Sequence, residues 1–227
     1  MFPIADNVKS ARFPFINITI IFISVGVFFL QITASDPEGF VLKYALIPAN
    51  VNFADYTTLI PFITSMFLHG GFLHIISNML FLWVFGDNVE GHLPPFVYLF
   101  LYLFSGIVGG LAQYIFAPNS AIPMLGASGA VAGALGAYFA LFPHHKVKTF
   151  IPFLGFGSIG NSIVSINASF MLGYWIVLQV ISGAISIPGM GESGGIAFFA
   201  HIGGFVTGYI FVKLFPKRNL ELVQIEE

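Results

Sequence analysis

The chain has no cysteine, which excludes disulfides, zinc–thiolate centres and a thiol nucleophile, and leaves the redox compartment unreadable. Charge is nearly as scarce. Only 8% of the 227 residues are Asp, Glu, Lys or Arg, against about 25% in soluble domains, so an ordinary water-facing surface cannot be covered. The formal net charge of -2 argues against a nucleic-acid partner. There is no H-E-x-x-H segment and no pair of Asp inside the apolar runs, which removes the usual zinc and aspartyl membrane proteases. No metal and no cofactor is expected. What is abundant is apolar: 57% of residues are hydrophobic and mean hydropathy is +0.90. The 28 Phe, 25 Gly and 13 Pro fit lipid-facing rings, close helix contacts and interrupted helices. The chain reads as an all-α membrane protein embedded in a lipid bilayer.

Charge-free intervals count the spans, since a helix needs about 20 apolar residues to cross the bilayer core. Lys9 and Arg12 precede a run from Phe13 to Ser35, which is too long for a signal-peptide core of roughly 7–15 residues and is taken as a retained first span. Tyr56–Gly86 holds a second span. Gly91–His145 is long enough for two, divided by the turn-like Ala117–Pro123. A fifth lies near Ala168–Pro188, and a sixth opens at Ser193 and reaches Phe215. Phe150–Ile166, broken by Pro152, Gly155, Gly157 and Gly160, is ambiguous by hydropathy alone. Six spans put Lys9, Arg12, Lys146, Lys148, Lys213, Lys217 and Arg218 on the cytoplasmic side and only Lys43 outside, as the positive-inside rule demands. The expected organisation is a cytoplasmic N-terminal segment (1–12), a six-span domain (13–215) and a polar cytoplasmic tail (216–227). Leu42–Ile60 is expected as an outer-face loop. No organelle-targeting segment precedes the first span, so a prokaryotic plasma membrane is the expected location.

Polar residues inside the spans are few. Span two carries His69, His74 and Asn78, the last two sharing a helix face. Helix–helix hydrogen bonding accounts for many such residues. Span four carries Gly126-Ala127-Ser128-Gly129, in which Gly126 permits a sharp turn of the chain and Gly129 removes a side chain beside the hydroxyl, leaving room for a substrate backbone. Small-residue stripes, Gly129/Gly133/Ala137 and Ala200/Gly204/Gly208, predict close packing of spans four and six, with Ser128 and His201 at the same end. Depth agrees. Ser128 and His201 each stand 14 residue steps from the inner end of their helices, at Phe142 and Phe215, and His74 stands 13 from Asp87. At 1.5 Å per residue all lie about 20 Å above the inner edge, hence about 10 Å below the outer surface of a roughly 30 Å core. A serine hydroxyl needs a base to take its proton, and His201, with an unperturbed pKa near neutrality, suits that role. His74, Asn78 and backbone N–H groups at the start of span four suit an oxyanion. No intramembrane carboxylate lies at this depth, so a Ser–His dyad is what the residues offer.

Gly126-Ala127-Ser128-Gly129, Ala200-His201-Ile202-Gly203-Gly204 and the His69…His74…Asn78 spacing resemble the rhomboid proteases, from about Thr64 to Phe215. The resemblance implies a six-helix rhomboid-like bundle with Ser128 as nucleophile, His201 as base, and His74 and Asn78 as oxyanion donors. It further implies that His69 is a supporting hydrogen-bonder, that Glu90 supports the fold, and that transmembrane protein substrates are cut near the outer face. Two departures stand out: Ile60-Pro61 where many members have Trp-Arg, and Ala132 where some have an aromatic ring stacked on the histidine. The second predicts that His201 is held by other packing. The glycine-rich 188–195 segment is expected to cap the site, either as a substrate gate or as an ordinary turn. Other readings are a catalytically inactive rhomboid-like binding factor and a transporter or channel. The latter would usually carry charged groups along a path rather than polar groups at one depth.

Overall fold

The computed structural model describes residues 1–8, 10–151, 163–187 and 197–215, and within them the chain is mostly helical. Helix α1 (Phe15–Thr33) fills the expected first span. A short α2 (Pro37–Tyr44) follows, N-capped by the Asp36 carboxylate, which accepts from the Gly39 N–H. Then come α3 (Phe72–His92), α4 (Pro95–Phe116), α5 (Ser128–Leu141), α6 (Ala168–Ser186) and α7 (Phe198–Leu214). Four of these, α1, α3, α4 and α6, are long and apolar enough to cross a membrane, whereas α5 and α7 are apolar but shorter, at 14 and 17 residues. The segments 152–162, 188–196 and 216–227 lie outside the described residues. With them go most of the ambiguous Phe150–Ile166 stretch, the expected cap at 188–195 and the expected tail.

Within the Tyr56–Gly86 interval the spanning helix starts only at Phe72. Residues 56–67 make separate short turns, Tyr56–Leu59, Pro61–Thr64 and Ser65–Phe67, because Pro61 brings no N–H to a preceding helix and Gly71, at φ 153°, breaks the chain just before Phe72. Helix α3 does not stop before Asp87. It continues to His92, with the Asp87 and Glu90 carboxylates accepting hydrogen bonds inside the protein. The two carboxyl oxygens of buried Glu90 accept from the N–H groups of Ile16 and Asn17 at 2.9 and 2.7 Å, capping α1. A π-helical turn at Leu82–Gly86 accompanies a Leu82 carbonyl that accepts from the Asn17 amide at 2.9 Å. The Asn17 oxygen in turn accepts from the Tyr98 hydroxyl at 2.7 Å, so one buried asparagine ties α1, α3 and α4 together. The last described helix begins at Phe198; the expected opening at Ser193 lies outside the described residues.

A purely helical expectation also missed a three-stranded antiparallel sheet, ordered β1 (Phe2–Asp6), β2 (Lys146–Phe150), β3 (Ile163–Asn167). Strand β2 alternates, with Lys146 and Lys148 exposed and Val147 and Thr149 buried, the period a strand requires. Val147 lies opposite Asp6 on one side and Ile166 on the other. The N-terminal segment is thereby stitched to the bundle end opposite Ser128. Asp6 is the inner anchor: its carboxylate accepts from the Tyr138 hydroxyl and from the Asn88 amide, the latter at 2.9 Å.

The most intimate helix pair is α5 with α7. A Cβ on Gly204 would overlap the Gly129 carbonyl, one on Gly208 the Gly133 carbonyl, and one on Gly136 the Phe205 carbonyl. The two small-residue stripes thus form one seam in which backbone touches backbone. Along it α4 closes the third side, with a Cβ on Gly109 falling 2.6 Å from the Ala200 carbonyl.

Two predictions follow from these contacts. Gly208→Ala should destabilise the protein by about 1–3 kcal/mol through overpacking, whereas Gly26→Ala, where a Cβ meets nothing within 4 Å, should not; thermal melts in detergent compare them. Burial pushes the Asp6 carboxyl up to about 6, so its protonated form is favoured by folding. Its contribution is complete below the ordinary value of 3.8 and is lost as pH rises through about 6. Melting temperature should therefore fall between pH 4 and pH 7 more in wild type than in Asp6→Asn; parallel slopes would refute this role for Asp6.

Candidate active site

Ser128 is the first residue of α5, and the backbone that delivers it is pinned from outside the helix. Leu46 and Met124 exchange two backbone hydrogen bonds, N–H to O at 3.0 and 2.8 Å, and the Gly126 N–H donates to the Ser65 carbonyl at 2.9 Å. The segment expected as an outer loop, Leu42–Ile60, therefore runs against the α4–α5 connection and braces it. Ile60-Pro61 opens the short turn that precedes Ser65, with Ile60 half exposed and Phe62 buried. Gly126 then turns the chain at φ +120°, a conformation that side chains disfavour. A Cβ there would lie 2.7 Å from both Cε1 and Nε2 of His74 and 3.8 Å from the Asn78 amide nitrogen. The glycine is thus required twice, by its dihedral and by the imidazole occupying its side-chain space.

His74 sits in the first turn of α3, where its Nδ1 accepts from the Gly70 N–H at 3.2 Å. In the neutral ring the proton then belongs on Nε2, the nitrogen facing Gly126. Asn78, one turn later, is buried and its amide nitrogen has no partner among the described residues. The first intrahelical bond of α5 is from the Val131 N–H to Ala127, so the N–H groups of Ser128 and Gly129 precede its ladder. Several donors therefore converge on the chain just ahead of Ser128. Among the described residues, no group of three or more His, Asp or Glu is arranged to hold a metal ion.

His201 is the fourth residue of α7 and is buried. Its neighbour Ala200 abuts Gly129, the neighbour of Ser128: a Cβ on Gly129 would stand 3.5 Å from the Ala200 carbonyl. Nucleophile and base candidates thus occupy adjoining places on two touching helices. Ser128 makes no side-chain hydrogen bond to His201 or to any other described residue. Beside Ser128 is a cavity of about 30 Å³ lined by Met66, Gly106, Met124, Gly126 and Ala200 among others, room for about two waters or a small side chain.

Gly129 borders this cavity, and its side-chain position faces two other lining residues, Ala200 and Gly106, at ordinary contact distances. His69 is fully buried, yet its ring nitrogens make no well-formed hydrogen bond; it meets the His74 ring edge-on at 5.3 Å. Its backbone is what is held, by Gln31, whose amide donates to the His69 carbonyl at 2.8 Å and accepts its N–H at 3.2 Å.

Two residues that sequence reasoning missed lie on α6. Trp175 covers the His201 ring, with centroids 5.7 Å apart and planes at 34°. This is the other packing that Ala132 predicted. The Gln179 Oε1 lies 2.8 Å from His201 Nδ1. The signal was available: Gln179 is the one long polar side chain in an apolar helix and sits one turn from Trp175.

A helical, membrane-type bundle with polar groups gathered at the starts of three helices defines the class. The Rhomboid domain family model matches residues 56–218. The chain belongs to the rhomboid family. Among similar proteins, Rhomboid protein 1, mitochondrial, of Saccharomyces cerevisiae is 32% identical over 76% of this chain and 45% of its own length. Rhomboid protease GluP of Bacillus subtilis is 31% identical over 65% of this chain and 24% of its own length. Rhomboid-like protein 11, chloroplastic, of Arabidopsis thaliana is 26% identical over 70% of this chain and 55% of its own length. The chain thus spans about half or less of these relatives. They come from bacterial, mitochondrial and chloroplast settings, so the similarity does not support the expected prokaryotic plasma membrane.

An additional prediction concerns the turn. Gly126→Ala should leave helix content intact while displacing His74, seen as a changed environment of the His74 ring in histidine-selective NMR; an unchanged His74 signal would contradict the crowding.

Proposed function

We propose that the chain is an intramembrane serine endopeptidase that cuts transmembrane protein substrates through Ser128 and His201. The observation that carries this reading is the gathering of donors from His74 and Asn78 against the turn that presents Ser128. Such donors stabilise a developing oxyanion only if they are fixed in place beforehand, and Gly126 and the Gly70 N–H fix His74. Bacillus subtilis GluP, a relative named as a protease, lends support.

In this reading Ser128 Oγ attacks the scissile carbonyl carbon while His201 takes its proton. The carbonyl oxygen becomes an oxyanion held by His74 Nε2–H, the Asn78 amide and backbone N–H groups at the start of α5. His201 then returns the proton to the leaving amine, and water hydrolyses the acyl-enzyme by the same relay. The small cavity favours a small side chain next to the scissile bond. The bundle would cross the membrane six times, α5 and α7 included. At 14 residues α5 is about 21 Å long, so its first residue falls about 9 Å short of a 30 Å core. That shortfall puts Ser128 below the face opposite the basic, sheet-bearing end, where lipid-embedded substrates and water can both reach it.

One observation favours a second reading, a catalytically inactive binding factor: Ser128 is not hydrogen-bonded to His201 in this structure. Catalytic hydrogen bonds often tighten only with substrate bound, so activity decides. Purified protein should cut single-span reporters with small, helix-breaking residues near the outer end of the span, and Ser128→Ala and His201→Ala should each lose at least about 1,000-fold. Undiminished cleavage by Ser128→Ala would overturn the nucleophile assignment.

A further inference from the structure

Among the described residues no carboxylate pairs with His201, and a histidine without a partner can carry its proton on either ring nitrogen. A general base needs its lone pair aimed at the nucleophile, so the Nε2–H part of that population would be unproductive. The structure supplies a partner of another kind. The Gln179 side-chain oxygen lies 2.8 Å from His201 Nδ1, reaching across from α6. A carboxamide oxygen accepts and cannot donate. Paired with it, Nδ1 must carry the proton, and Nε2 is left bare.

We infer that Gln179 is a positioning residue that holds the Nδ1 proton of His201 and so reserves the Nε2 lone pair for Ser128. The inference rests on the reading of His201 as base. A neutral amide suits a site below the membrane surface, where a carboxylate would be costly to bury. When His201 takes the serine proton, the Nδ1–H···O=C bond becomes charge-assisted and strengthens, which stabilises the imidazolium without a buried anion. Trp175, one turn earlier on the same face of α6, covers the ring and limits its rotation. Helix α6 thus supplies both the face and the edge contact of the histidine. The site then works as a serine–histidine–glutamine relay in place of a bare dyad.

The test uses the whole protein in detergent, with Gln179→Met, which keeps the volume and removes the acceptor, and Gln179→Glu, which keeps the acceptor. Histidine-selective 15N NMR reads the tautomer directly, the His201 signals being identified by their loss in His201→Ala. Wild type and Gln179→Glu should show a protonated Nδ1 and a bare Nε2; Gln179→Met should show a mixture or the reverse. With a cleavable reporter, Gln179→Met should lose about 10–100-fold in kcat with KM little changed. Gln179→Glu should restore the rate and move the acid limb of the pH profile upward, because a carboxylate favours imidazolium. An unchanged His201 spectrum and wild-type kcat in Gln179→Met would overturn the assignment while leaving proteolysis intact. The expected NMR shifts in a protein that cuts no reporter would instead uphold the Gln179 contact and count against the catalytic reading. Should Gln179→Met fail to fold, Gln179→Glu decides: an acid limb that does not move overturns the proposal.

Discussion

Backbone meets backbone where α5 crosses α7, and the position of every catalytic candidate depends on that approach. Lipid provides no hydrophobic drive between helices, so association rests on packing, and packing is closest where glycine removes the side chain. Gly204 and Gly208 on one helix face carbonyls of Gly129 and Gly133 on the other. Because the seam starts at Gly129 and Ala200, the neighbours of Ser128 and His201, it holds those two positions close together. A larger residue in the seam would separate the two helices and with them the two side chains.

The rest of the bundle keeps that seam from being reached by the wrong geometry. In a membrane each polar group must be satisfied within the protein, and here the satisfied groups are also the fasteners. Glu90 caps α1, Asn17 links α1 to α3 and α4, and Gln31 clamps the backbone of His69 ahead of the turn that carries His74. Each fastener replaces a hydrogen bond that water would have made and aligns one element with another. Not every buried polar atom is bonded: the Ser24, Tyr102 and Ser105 hydroxyls and the Asn78 amide nitrogen have no partner among the described residues. Of these, the Asn78 amide is the one to which the proposed reaction brings a negative charge.

Much of this was legible in the sequence because membrane helices leave strong signals: α1, α4 and α6 fall inside the charge-free runs. The small-residue stripes named the α5–α7 seam, and Ser128 and His201 do stand equally far, 13 residues, from the ends of their helices at Leu141 and Leu214, whereas His74 stands 18 from His92 because α3 runs past Asp87. What was not legible has physical causes. Charge-free length could not locate the start of α3, because Pro61 and Gly71 break an apolar run without changing its hydropathy. It could not locate its end either, because Asp87 and Glu90 read as a boundary although their oxygens are used inside the fold. The sheet was hidden because five-residue strands carry little pattern, and β1 pairs with a strand more than a hundred residues away. Gln179 escaped notice since the search for a third member of the relay was a search for a carboxylate.

The central claim is that Ser128 is an activated nucleophile, made so by His201. A fluorophosphonate probe, which reacts with activated serines and needs no knowledge of the substrate, tests it most directly, with mass spectrometry to locate the adduct. The account predicts a single adduct on Ser128 in the wild-type protein and none in His201→Ala. Labelling of Ser128 that is equally fast without His201, or no labelling of a folded wild-type protein, would contradict it.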